Sequence, residues 1–134
     1  MKKMNNKGFS LIELIIVIAI MAVLVGVLAP QYLKYVNNSK VSTDISNAQE
    51  IATAVNVAFA DDQYSAQAAS LTGSATFAVT SMPDGTAFPA SKLNGSYTWS
   101  VNCGLNGVTT ITLNSEAIYP DPKISGGYYT NHHK

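Results

Sequence analysis

Phe9-Ser10-Leu11-Ile12-Glu13-Leu14-Ile15-Ile16-Val17-Ile18-Ala19-Ile20-Met21-Ala22-Val23-Leu24-Val25-Gly26-Val27-Leu28-Ala29 is an apolar run interrupted by one charge, Glu13. At a rise of ~1.5 Å per residue, a helix of this length spans ~31 Å, close to the ~30 Å hydrocarbon core of a bilayer. A carboxylate inside such a span costs roughly 2.5 kcal/mol or more. A segment that serves only as an anchor gains nothing from it, so Glu13 needs a specific partner. Lys2, Lys3 and Lys7 precede the run, and the next basic residue is Lys34. That asymmetry sets the N-terminus in the cytoplasm and the remainder outside. A secretory signal peptide shares the basic-then-apolar order. Here the apolar stretch is too long, holds an acid, and ends at Pro30 without a small-x-small cleavage site.

Composition bounds the remainder. The chain has 134 residues and is formally neutral. One membrane segment leaves room for one small extracytoplasmic domain. Without residues 1–8, five lysines face eight acids, a formal net charge near −3. There is no arginine. General basicity for nucleic acid and bidentate base recognition are both missing. The one cysteine, Cys103, cannot close an intramolecular disulfide.

Beyond Pro30 the helical pattern resumes. Val41, Ile45, Ala48, Ala52, Val55 and Phe59 form one apolar stripe, with Lys40, Asp44, Asn47 and Glu50 on the other faces. The helix is expected from about Phe9 to about Ala60. Pro30 removes a backbone donor and Gly26 weakens the helix one turn earlier, so a kink or local melting is expected between them. Residues 61–74 read as a loop with a short helical turn around Ala66–Leu71. Strands are expected at Ala75–Thr80, Ser96–Asn102 and Val108–Asn114, the last two joined as an antiparallel hairpin through Asn106-Gly107. The tail from Tyr119 reads as mostly irregular, with Gly127–Thr130 able to add a short edge strand. The fold class is α+β: a long kinked N-terminal helix packed against a small antiparallel β-meander.

Lys7-Gly8-Phe9-Ser10-Leu11-Ile12-Glu13 resembles the class III signal of type IV pilins and pseudopilins, with the short leader of the type IVa kind. A basic leader ends in Gly, Phe follows, then Ser-Leu-Ile-Glu opens an unbroken apolar helix. Pro30 also falls where many pilins carry a proline. The match covers about 30 residues. It implies three segments: a cleaved leader (1–8), a transmembrane and filament-core helix (9–30), and a head domain made of the amphipathic half-helix and the sheet (31–134). It further implies cleavage after Gly8 by a prepilin peptidase, N-methylation of Phe9 by the same enzyme class, and pairing of Glu13 with the Phe9 amine of a neighbouring subunit. Lys7 would aid membrane orientation and leader recognition. The implied product is a major type IV pilus subunit, and the implied partners are further copies in a homo-oligomeric filament, the peptidase/methyltransferase, the assembly platform with its ATPase, minor pilins, and the membrane before assembly. The alternatives are a pseudopilin of a type II secretion or competence system and a monomeric membrane-anchored binding module. Many Gram-negative pilins close the C-terminal region with a Cys pair; the lone Cys103 leans toward a Gram-positive source.

No catalytic group stands out, and neither cofactor nor metal is expected. His132-His133 read as a solvated tail. Glu116 and Asp121 flank a Pro-containing loop, a weak pattern for Ca²⁺. Cys103 reads as a small core or turn residue whose change to Ser leaves folding and assembly nearly normal.

Overall fold

The computed structural model describes residues 8–133. Lys2, Lys3 and Lys7 lie outside the described residues, as does Lys134. The elements are helix α1 (Leu11–Ala60), helix α2 (Ser65–Ala69), strands β1 (Phe77–Val79), β2 (Trp99–Gly104), β3 (Gly107–Leu113) and β4 (Glu116–Tyr119), and helix α3 (Tyr128–His132). The chain divides into two compact units, one ending at Tyr35 and one beginning at Val36.

In the first unit every residue from Gly8 to Tyr35 is exposed. A span rich in Ile and Val is not a strong helix former in water. In a bilayer, a helix is the way a single segment satisfies all its backbone groups. α1 stays helical through Gly26 and Pro30. The local melting expected there is absent from this subunit: four residues around a proline lose one backbone bond, and the apolar turns on either side hold the rest.

The second unit has its own core. α1 contributes Val41, Asp44, Ala48, Ile51, Val55 and Ala58, spaced alternately by three and four. Ala52 is buried beside this row, so Val41, Ala48, Ala52 and Val55 of the expected stripe lie in the core, and Ile45 and Phe59 pack against it as partly buried residues. Asp44, expected on a polar face, is fully buried. The sheet order is β1-β2-β3-β4, all antiparallel. Val79, Val101, Cys103, Ile111, Leu113 and Ile118 complete the core. A bulge between Asn102 and Cys103 shifts the β2–β3 register, and the Thr109 hydroxyl donates to the Asn102 carbonyl across it at 2.9 Å.

The strands are shorter than expected at β1 and start later at β2, because residues 80–98 follow an irregular path tied by side chains. The Trp99 indole N–H donates to the Pro89 carbonyl at 2.6 Å. β4 was not expected. Its turn is Asn114-Ser115, both with positive φ (52° and 69°), and Ser is an uncommon second residue for such a turn. Gly127–Thr130 does not form an edge strand. Tyr128 turns into the core instead, and α3 starts there.

The β2–β3 hairpin turns at Leu105-Asn106, and Gly107 opens β3 at φ +125°. A Cβ on Gly107 would collide with Asn56 Oδ1, the atom that accepts the Val108 N–H at 2.9 Å. Gly107→Ala should therefore cost the second unit about 2–4 kcal/mol, from backbone strain plus the displaced bond. Denaturant unfolding of the full chain in detergent micelles checks this.

Candidate functional site

The start of α1 gathers the motif residues. Gly8, Phe9 and Ser10 are outside the helix, and Phe9 is 91% exposed. A Cβ on Gly8 would meet nothing within 4 Å, so packing within the chain does not require glycine there. Glu13 lies in the first turn of α1. Its Oε2 accepts the Ser10 N–H at 3.1 Å, and its own N–H points to Ser10 Oγ at 3.4 Å. This reciprocal pair is a capping box, which supplies acceptors for N–H groups that a helix start leaves unbonded. The Ser10-x-x-Glu13 spacing carries that signature in the sequence. From Leu11 onward the apolar side chains, Ile12, Leu14, Ile16, Val23 and Leu28 among them, have no cover within the subunit.

A second polar centre sits in the unit that begins at Val36. Asp44 Oδ2 accepts the Ser91 hydroxyl at 2.6 Å, the Tyr128 hydroxyl at 2.6 Å and the Leu93 N–H at 3.2 Å; Oδ1 accepts the Lys92 N–H at 2.6 Å. Four donors replace the water a buried carboxylate would otherwise need. Burial first, and then the carboxylate that accepts its proton, push the Tyr128 phenol well above its ordinary range. This centre ties α1, the 91–93 loop and α3 together.

The motif geometry agrees with a family match. Residues 3–29 match the prokaryotic N-terminal methylation motif. The chain is 41% identical over 59 residues to the type IV major fimbrial protein FimA of Dichelobacter nodosus, covering 44% of this chain and 38% of that one. It is 33% identical over 118 residues to the type IV major pilin protein PilE1 of Neisseria gonorrhoeae, covering 88% and 49%. It is 33% identical over 121 residues to the fimbrial protein EcpC of Eikenella corrodens, covering 88% and 69%. The chain belongs to the type IV pilin family. It spans less than half the length of FimA and PilE1. No solved structure matches it. The α+β layout of long N-terminal helix and four-stranded antiparallel sheet is the pilin fold expected from the sequence.

In this pilin His132 and His133 are held by other residues, contrary to the expected solvated tail. His132 Nε2 lies 2.6 Å from Glu116 Oε2, and the Asn131 side-chain amide donates to Glu116 Oε1 at 2.8 Å. The Asn37 amide donates to the His132 carbonyl at 2.7 Å. The His133 ring stacks on Tyr129 at 4.3 Å. Glu116 is thus engaged by α3, and Asp121 accepts the Lys123 N–H at 2.9 Å, so both acids weighed for Ca²⁺ have protein partners.

Cys103 is fully buried in β2. Burial pushes its thiol up to about 11. The thiolate is the nucleophile, so at pH 8 the folded pilin should resist iodoacetamide while the unfolded chain reacts. Intact mass after alkylation reads this directly. A folded-state value raised from 9.0 contributes stability that is present below pH 9 and lost as pH rises toward 11. Tyr128 adds a loss of the same sign at higher pH. Ser at position 103 would bury a hydroxyl in an apolar core at a cost of about 1–3 kcal/mol. Cys103→Ala is the gentler change than the Cys103→Ser expected to be nearly silent.

Proposed function

We propose that this pilin is a major structural subunit of a type IV pilus, cleaved after Gly8, N-methylated at Phe9 and polymerised into a helical surface filament. One observation carries the proposal: the first part of α1, residues 11–30, is an exposed apolar stretch with a lone acid in its first turn, directly behind a non-helical, exposed Gly8–Phe9 bond. So much exposed apolar surface needs either lipid or other copies to cover it. Before assembly the bilayer covers it, with the head outside the cytoplasmic membrane. In the filament, neighbouring helices do. Residues 1–8 are the leader, 9–30 the membrane and filament-core segment, and 31–134 the half-helix with the sheet.

Cleavage creates an ammonium at Phe9, one turn from Glu13. In a filament core that ammonium and the Glu13 carboxylate of a neighbour neutralise each other, and the pair sets the register between subunits. Gly26 and Pro30 weaken α1 where it must adjust to packing. The partners under this reading are a prepilin peptidase/methyltransferase, an assembly platform with its ATPase, and minor pilins. Adhesion, motility or DNA uptake would be the filament's work. The subunit itself has no enzymatic role.

Intact-mass and N-terminal peptide analysis of the native protein tests the processing. The expected mature chain starts at N-methyl-Phe9. Gly8→Ala should be cut poorly, and larger residues should block cutting. A chain that still starts at Met1, or starts beyond Ala29, contradicts the proposal.

A further inference from the structure

The capping box has a consequence for the bond that is cut. In a helix, each peptide N–H is bonded to the carbonyl four residues back and ringed by side chains, which closes the backbone to another protein. A membrane favours that closure, because unbonded polar groups are costly in lipid. Something must stop α1 before it runs backward through Phe9. The Ser10 N–H, which a longer helix would give to the carbonyl four residues back, is committed to Glu13 Oε2, while Ser10 Oγ accepts from Glu13. An N-cap residue takes non-helical backbone angles. Gly8, Phe9 and Ser10 are accordingly non-helical and exposed, and nothing in the chain crowds the side of Gly8 where a Cβ would sit.

We propose that Ser10 is a positioning residue for cleavage: its capping box with Glu13 stops α1 just past the Gly8–Phe9 bond and presents that bond to the peptidase as open backbone. The proposal rests on the reading that cleavage follows Gly8. It gives Glu13 two separable jobs. A glutamine can cap but cannot neutralise an ammonium.

The test uses the full-length precursor in detergent micelles with a purified prepilin peptidase. Two quantities are read: the initial rate of cleavage after Gly8, and the backbone conformation of Phe9 from its NMR chemical shifts before cleavage. Ser10→Ala should slow cleavage about fivefold, the effect of losing an N-cap, and move the Phe9 shifts toward helix. Ser10→Thr should restore both. Glu13→Gln, whose amide oxygen can still accept the Ser10 N–H, should be cut faster than Ser10→Ala. Wild-type cleavage of Ser10→Ala overturns the proposal. So does slowed cleavage with unchanged Phe9 shifts, since the peptidase would then be reading the Ser10 hydroxyl directly. A wild-type precursor left uncut at Gly8 overturns the processing reading itself, and the proposal with it.

Discussion

Glu13→Leu should enter the membrane well, be cut after Gly8, and yield almost no filament. Removing the acid relieves the membrane helix of a charge that costs roughly 2.5 kcal/mol or more in lipid. Ser10 Oγ remains to cap the helix while the Ser10 N–H loses its acceptor, so the cut should be slower but not blocked. Assembly is where the loss appears. The Phe9 ammonium of each subunit would be buried without its counter-charge, at roughly 3–5 kcal/mol per broken pair. That penalty recurs at every subunit added, so even its lower end abolishes growth. Glu13→Gln should fail in the same way, since it caps but carries no charge. Glu13→Asp should be intermediate, with the charge kept on a shorter arm. The assay is the ratio of sheared filament to membrane-held subunit when the variant is the sole pilin. A simple anchor behaves the opposite way, with Glu13→Leu neutral or improved.

Asp44→Ala should be the most damaging single change in the unit beginning at Val36. It leaves two buried hydroxyls and two part-buried backbone N–H groups without their acceptor. Each orphaned donor costs about 1–3 kcal/mol. Partial collapse and entry of water lower the sum, and about 3–5 kcal/mol is the expected loss. Asp44→Asn should cost nearly as much, because its amide N–H₂ would face donors. Tyr128→Phe removes one donor and should cost about 1–2 kcal/mol. Near-ultraviolet circular dichroism against denaturant, on the full pilin in micelles, gives these values. An Asp44→Ala chain within about 1 kcal/mol of wild type would mean that the four bonds hold nothing together.

The parts of this pilin that were legible in its sequence are those set by local pattern. The Phe9–Ala29 run, the Val41–Phe59 periodicity and the alternation from Tyr97 to Leu113 each need only a short window. Asp44 shows what such a window misses. A carboxylate between Thr43 and Ile45, four residues from Lys40, reads as a surface residue. Its donors lie 47 to 84 positions away, in a loop without periodicity and in a short C-terminal helix. The same non-local cause decides α3. Tyr128-Tyr129-Thr130 has strand-forming residues, yet the Tyr128 hydroxyl is drawn to Asp44 and the Asn131 and His132 side chains to Glu116. Those contacts outweigh local propensity. The capping box is a different case. Ser10-x-x-Glu13 was readable, but one residue carried two signals and the costlier one, buried charge, dominated.

The central claim is that Glu13 of one subunit meets the Phe9 amine of another. Filaments assembled from an equal mixture of subunits, half labelled with ¹⁵N and half with ¹³C, isolate that contact in solid-state NMR, because only pairs between subunits combine the two labels. A cross-peak between the Phe9 amino nitrogen and the Glu13 side-chain carboxyl carbon, at a separation of about 4 Å, is the predicted result. If that cross-peak is missing from the mixed filaments and appears only when both labels are on the same chain, Glu13 serves its own terminus, and the pairing between subunits is contradicted.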